Sequence, residues 1–412
     1  MTFLTPGDPA PWFTANTTSN PTFRFYTVGG YRIILSFLGK SSDPTSRQVL
    51  QEFLSRQAQL EQERIVFFGI LTDPQDQVWE DQVESLTYCK LVWDFDYAVS
   101  AMYGVCSAKA TAATYRPTTF VINQNLHVEE ALTIQADVAD QAIADPAAEH
   151  VDRIMQRTQQ IAQFPPPQMA ARQAPVLLIP NVLDRTLCQH LIDLYRADGG
   201  RDSGFMRQVE GKTVEILDPG FKKRRDLLVD QPQMLTQLNQ LVLQRIKPEV
   251  EKAFQFSLTR FERYLVACYE AHNQGFFNRH RDNTTKGTIH RRFAMTLNLN
   301  TGDYEGGCLW FPEYGSQLYR PDVGEAIIFS CSLLHEATPV TAGTRFALLS
   351  FFYNDEDAKL RQQNLQYVEM SDRHPPKSAF ASEPTAASST ALHSVAANKG
   401  FQSKNAKKQK KK

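Results

Sequence analysis

Short apolar runs separated by helix-like stretches dominate the first third of the chain. "YRIILSFLG", "RIVFFGILT" and "TTFVINQN" each carry an unbroken apolar segment of strand length, and residues 43–63 between the first two have helical spacing. Strands alternating with helices predict an α/β layer fold, placed here over residues 1–130. Residues 131–172 are Ala/Gln-rich with helical spacing until Pro165-Pro166-Pro167, a triplet that cannot continue a helix and favours a stiff, extended spacer. A helix and a linker are therefore expected there. Beyond them, "APVLLIPNVLDRTLCQHLIDLYRADGG" reads as strand, turn and amphipathic helix stopping at Gly199-Gly200. From about residue 255 the runs are short, β-rich and punctuated by Gly, Asn and Asp. Residues 173–356 are thus expected to form an α+β domain, an all-β core with a helical preface. Residues 357–412 are expected to be a low-complexity, disordered tail, since the Ser/Ala/Pro-rich stretch from about 371 has little apolar surface to bury and seven lysines fall between 399 and 412.

Charge and cysteine usage narrow the setting. Lysine and arginine number 44 against 45 acids, a formal charge of −1, so no global basic field points to nucleic acid. The lysine tail alone leaves room for a weak contact with RNA or an acidic partner. No run of 18 uncharged apolar residues occurs, and the opening "MTFLTPGDPAPWF" has neither a basic n-region nor an apolar h-region. A cytoplasmic protein without a membrane partner is expected. The six cysteines, at 89, 106, 188, 268, 308 and 331, show no CxxC pair, which suits free thiols in a reducing compartment.

Candidate chemistry sits in "FFNRHRDN", residues 276–283, where His280 and Asp282 stand two apart. In "GEAIIFSCSLLHEATPVTAGTRFALLSFF", His335 follows a strand-like run and Arg345 comes ten residues later. Two imidazoles and one carboxylate are the donor set of the facial triad of non-haem Fe(II) oxygenases, which leaves coordination positions open for a co-substrate and O2. His280, Asp282 and His335 are the candidate metal and catalytic residues. Arg345 carries a guanidinium fork suited to a carboxylate.

The segments "IPNVLDRTLCQHLI", "VACYEAHNQGFFNRHRDN" and "LNLNTGDYEGGCLWFP", followed by the His335 to Arg345 stretch, resemble in order the prolyl 4-hydroxylase branch of the Fe(II)/2-oxoglutarate dioxygenases. "ACY" and "RHRDN" are similar to the oxygen-sensing members. The resemblance implies a double-stranded β-helix (jelly roll), with His280, Asp282 and His335 as iron ligands and Arg345 gripping the distal carboxylate of 2-oxoglutarate. It also implies Tyr269 in the co-substrate pocket, Asn298 at a co-substrate position where relatives often carry tyrosine, a tight turn at Glu305-Gly306-Gly307, and L-ascorbate as auxiliary reductant. His272 and His290 fall outside the motif and are expected to be loop or surface residues. The implied reaction hydroxylates a C–H bond with O2 and releases succinate and CO2. Its substrate is a peptidyl proline or another protein side chain; a free amino acid or small molecule stays open. Residues 200–230 are expected to be a loop shaping the entrance, where Lys222-Lys223-Arg224-Arg225 either meets an anionic substrate or is a solvated surface.

The amino-terminal segments "GDPAPWFTA", "YRIILSFLGKSSDPTSRQVLQEF", "VWDFDYAVSAMYGV" and "RPTTFVINQN" resemble peroxiredoxins of the thioredoxin fold. Gly39, Asp43 and Ser46 stand about where that family has its proline, threonine and peroxidatic cysteine. Arg116 matches the arginine that activates the missing thiolate. A domain retained as scaffold, homodimerisation surface or substrate-recruiting module is expected; a redox or interaction protein dominated by this half is the alternative.

Overall fold

The computed structural model describes residues 3–107, 115–134 and 145–369. Seven strands make the first sheet: β1 (Thr14–Thr17), β2 (Asn20–Arg24), β3 (Arg32–Gly39), β4 (Ile65–Leu71), β5 (Cys89–Trp93), β6 (Thr118–Ile122) and β7 (Val128–Thr133), in the order β2-β1-β5-β4-β3-β6-β7. β3 and β4 pair in parallel and are buried along their whole length, which is why "RIILSFLG" and "IVFFGIL" read as continuous apolar runs rather than alternating ones. Apolar clusters cover both faces: Ile34, Leu50, Phe53 and Phe67 on one, Phe25, Leu35, Phe68 and Phe120 on the other. The helix Pro44–Ser55 joins β3 to β4; Asp43 caps it by accepting from the Ser46 amide, and Pro44 supplies a first-turn residue that needs no N–H. This is the thioredoxin-like α/β domain expected.

Its boundary needs correcting. β7 runs past residue 130, and the helix Pro146–Gln160 buries Ala147, Val151, Ile154 and Met155 in the first domain's core. Helical periodicity was legible there, but the docking of its apolar stripe depends on tertiary contacts. Among the described residues of this segment, the stretch around Pro165-Pro166-Pro167 is the exposed connection without helix or strand.

Every strand pairing of the second domain is antiparallel among the described residues. The larger sheet runs Leu177–Ile179, Ala326–Ser330, Phe293–Asn298, Val340–Tyr353, Leu265–Glu270, Arg225–Leu228, Arg201–Asp202, with Arg260–Phe261 and Tyr304–Gly306 also on the long strand. The smaller runs Lys222–Lys223, Phe276–His280, His335–Ala337, Leu309–Trp310, Leu318–Tyr319. Alternation along the larger sheet divides its side chains between two environments. Val266, Cys268, Met295, Leu297, Phe346 and Leu348 face a helical layer that includes Leu191 and Leu238. Ala267 and Tyr269 instead pack with Tyr304 and Ala337, and Ala294 and Phe329 with Leu309 and Phe311, between the two sheets. That two-sheet sandwich is the jelly roll.

Two further expectations change. Residues 200–230 contain a β-hairpin, Phe205–Val209 with Lys212–Ile216, rather than a loop. The folded domain continues past 356 through the helix Asp355–Asn364 to a bridge between Thr213 and Val368, because Arg292 and Arg260 pair with Asp357 and Asp355. The remainder of the lysine tail, from 370, lies outside the described residues. No helix among the described residues is long and apolar enough to cross a membrane, and all six cysteines are free thiols.

Candidate metal centre

His280 ends the strand Phe276–His280 and His335 begins His335–Ala337; the two strands pair so that these residues stand directly opposite. Asp282 is held two residues on by its amide, which donates to the Cys331 carbonyl at 2.9 Å. His280, Asp282 and His335 each offer one ligand atom, and these lie within 4.8 Å of one another. His280 Nε2 is 3.5 Å from one Asp282 oxygen and His335 Nε2 is 3.4 Å from the other. Each ring's far side is occupied: His280 Nδ1 is 2.7 Å from the Asn278 carbonyl and His335 Nδ1 is 3.0 Å from the Leu333 carbonyl. A carbonyl only accepts, so Nδ1 carries the proton in both rings and Nε2 presents its lone pair inward.

Electrostatics agree with that tautomer. Burial pushes His335 down to about 4, although Asp282 pulls the other way, so the ring is neutral at pH 7. Burial opposes ionisation of Asp282, but His335 and His280 outweigh it and hold the carboxyl far below its usual range. Neutral imidazoles and an ionised carboxylate are the forms a cation requires. Phe277 stacks on His280 with ring centroids 3.6 Å apart, and Phe329 packs edge-on against His335 at 4.7 Å. Arg281 braces the approach to His335 with two bonds to Glu313, at 2.7 and 3.2 Å, while Glu313 accepts from the Leu334 amide.

Arg345 and Tyr269 are register partners on adjacent strands, both turned between the sheets. Arg345 is 2% exposed, its guanidinium lies 5.1 Å from the Tyr269 ring centroid, and one Nη donates to Asn298 Oδ1 at 3.0 Å. No carboxylate lies within 4.0 Å of it among the described residues, and its Nε is buried without a partner. A buried guanidinium with unspent donors is a receptor for an anion. Asn298 is committed within the protein: its Nδ2 donates to Thr301 Oγ1 at 3.0 Å, Tyr304 Oη at 2.9 Å and the Pro321 carbonyl at 3.0 Å. Asn298 therefore orients Arg345, with Tyr304 behind it. The turn after Tyr304 is as tight as expected, since a Cβ on Gly307, at φ +59°, would meet Arg345 Cδ at 2.8 Å.

Two residues of the basic cluster Lys222-Lys223-Arg224-Arg225, for which an anionic substrate or a solvated surface was expected, adjoin this pocket. Lys222 and Arg224, from the segment read as an entrance loop, are turned inward against Phe277 and Tyr269. Alternation in "KKRRD", which sends Lys222, Arg224 and Asp226 to one side, was the available signal. His290 is also buried, not at the surface, and bonds Glu262 at 2.9 Å away from the triad; His272 is exposed, as expected.

Residues 264–353 match the 2OG-Fe(II) oxygenase superfamily, and the chain belongs to it. Residues 6–131 match the AhpC/TSA family, the peroxiredoxin-like half. The chain is 30% identical over 186 residues to a PKHD-type hydroxylase of Shewanella sp. (strain ANA-3), covering 41% of this chain and 74% of the relative. It is 37% identical over 97 residues to a PKHD-type hydroxylase of Saccharophagus degradans, 22% of this chain and 41% of that protein. Among solved structures it is similar to a prolyl hydroxylase from Trichoplax adhaerens in complex with a hypoxia inducible factor peptide, at 18% identity and TM-score 0.36 over 46% of this chain and 87% of that one.

Proposed function

We propose that this protein is an Fe(II)- and 2-oxoglutarate-dependent dioxygenase that hydroxylates a peptidyl proline or another side chain presented by a protein. The observation that carries the reading is the convergence of His280, Asp282 and His335, whose ligand atoms lie within 4.8 Å with both Nδ1 atoms already engaged. Borderline imidazoles with one hard carboxylate suit Fe(II). When bound, Fe(II) with 2-oxoglutarate supplies the O2 chemistry that hydroxylates a C–H bond and releases succinate and CO2. The chain's own residues bind and orient. Arg345, held by Asn298, offers its spare donors to the distal carboxylate of 2-oxoglutarate; Tyr269 walls that pocket, and Phe277, Phe329 and Phe311 keep water from the imidazoles. The match to PKHD-type hydroxylases supports the hydroxylation, and the protein substrate is the reading favoured by the likeness of "ACY" and "RHRDN" to the oxygen-sensing prolyl hydroxylases. Ascorbate as auxiliary reductant and a reducing, cytoplasmic setting belong to the same proposal.

The thioredoxin-like domain is proposed as a scaffold that does not reduce peroxide. Ser46 spends its hydroxyl on the Leu38 carbonyl at 2.7 Å, and burial pushes the Cys89 thiol up to about 12 and raises that of Cys106. The test is succinate formation by the full chain with Fe(II), ascorbate, 2-oxoglutarate and air. Turnover is expected in the wild type and at least ~100-fold less in His280→Ala, given that loss of a metal ligand removes the open site. Failure of the wild type to bind both Fe(II) and 2-oxoglutarate overturns the reading. Peroxide consumption lost on replacing Cys89 or Cys106 overturns the scaffold assignment.

A further inference from the structure

The chain from Lys222 to Leu228 leaves the smaller sheet, where Lys222 is the register partner of Phe277, and enters the larger one, where Arg225 is the partner of Cys268. It closes one side of the sandwich, and alternation turns Lys222, Arg224 and Asp226 to the same side. Lys222 is buried; its ammonium donates to Ser203 Oγ at 2.7 Å and the Gly204 carbonyl at 2.5 Å, and lies 4.7 Å from the Phe277 ring centroid. The Arg224 side chain is 10% exposed, with its guanidinium 5.9 Å from the ring centroids of both Tyr269 and Phe277. One of those rings faces Arg345 and the other stacks on His280. Arg224 is thus one aromatic ring from the candidate 2-oxoglutarate pocket and one from the metal ligands.

Two basic side chains stand beside one bonded carboxylate, and burial, with Arg224 adding to it, pushes the Lys222 ammonium well below its usual range. Arg224 Nη2 donates to Asp226 Oδ2 at 2.6 Å and to Ser203 Oγ at 3.3 Å, and Nη1 donates to the Tyr269 hydroxyl at 3.4 Å. No carboxylate lies within 4.0 Å of Lys222 among the described residues. Two buried atoms of the cluster lack partners, the donor Arg224 Nε and the acceptor Asp226 Oδ1. Holding a second basic group and two unpaired polar atoms in a buried wall costs free energy that a structural ion pair does not need to incur. A ligand that brings a carboxylate together with an N–H satisfies both atoms and favours the protonated form of Lys222. A peptide with an acidic residue carries both groups.

We propose that Arg224 and Lys222 form an anion subsite beside the metal centre, so that the hydroxylated segment is an acidic peptide with a carboxylate close to the reacting residue. The inference rests on the dioxygenase reading, and the experiment separates the two. Mn(II) and 2-oxoglutarate binding by the full-length wild type is measured first, under nitrogen. Anisotropy titrations of that complex then compare two labelled peptides, identical except for Glu or Gln on either side of a central proline. The Glu peptide is expected to bind at least ~10-fold more tightly, as a charge-assisted contact in a dry wall allows, and the preference is expected to fall below ~2-fold in Arg224→Gln and in Lys222→Met. If Arg224→Gln does not fold, Lys222→Met decides alone. Equal affinity for the two peptides, binding of neither, or a preference that survives the substitutions overturns the subsite while the dioxygenase reading stands. Failure to bind Mn(II) and 2-oxoglutarate overturns both.

Discussion

At the scale of single residues, the site depends on side chains whose second polar atom is already spent. Both candidate histidine ligands give Nδ1 to a carbonyl two residues back, a local consequence of strand geometry on either side of one pairing. Arg345 is aimed by Asn298, which is in turn fixed by Thr301, Tyr304 and Pro321. Removing the guanidinium, in Arg345→Ala, is expected to raise the 2-oxoglutarate concentration needed for half-maximal succinate release by ~10- to 100-fold, the worth of a charge-assisted pair of about 1.5–3 kcal/mol. Asn298→Leu keeps the charge but frees its direction. A smaller rise, ~3- to 10-fold, is expected in the same assay, with the maximal rate nearly unchanged; an effect as large as that of Arg345→Ala would mean that Asn298 itself contacts the co-substrate.

Elements matter because the period of two decides which residues meet. Tyr269, Asn298 and Arg345 belong to three neighbouring strands, and each falls on the face that turns away from the helical layer. Moving any one strand by a single residue would carry its pocket residue to the opposite face. The turn that follows Tyr304 contributes in another way: Gly307 adopts φ +59° and leaves the space that Arg345 Cδ occupies. Gly307→Ala is expected to displace Arg345 and weaken 2-oxoglutarate binding ~10-fold, while the ultraviolet circular dichroism of the fold is kept. The backbone itself costs the variant about 1 kcal/mol, measurable as a lower urea midpoint. Unchanged 2-oxoglutarate affinity would show that Arg345 tolerates the added methyl.

For the whole molecule, the two domains meet through buried charge. Arg245, on a π-helical turn at Val242–Ile246, donates to Asp8 Oδ1 at 2.8 Å, to Thr5 Oγ1 at 3.1 Å and to the carbonyls of Asn181 and Val182 at 3.0 and 3.1 Å. His127 of the first domain approaches Glu249 of the second at 3.4 Å. Asp8→Ala strands the guanidinium, and a loss of about 3–5 kcal/mol is expected, seen as a lower urea midpoint and separation of one unfolding transition into two. Acid acts on the first domain through His150. Burial, with Arg153 nearby, lowers its folded value from 6.5 to about 4. The unfolded chain therefore binds the proton first: stability is full above 6.5 and falls as pH drops towards about 4, by up to about 1.4 kcal/mol per pH unit. Urea midpoints measured across that window are expected to slope downwards with acid, less steeply in His150→Gln.

Sequence by itself determined the elements that local rules govern. Continuous apolar runs marked β3 and β4, helical spacing marked residues 43–63, and His280 with Asp282 two residues on marked the candidate metal centre. These signals are local because burial on both faces, helical spacing and ligand type are properties of a few consecutive residues. Tertiary structure alone decided that the helix Pro146–Gln160 docks on the first domain, that Asn298 serves Arg345, that His290 is buried against Glu262, and that Lys222 and Arg224 line the site rather than the surface. Each of those outcomes depends on a partner many positions away, as Arg224 Nη1 on Tyr269, and the pairing of distant strands is set by how two sheets close over one core rather than by any short stretch of chain.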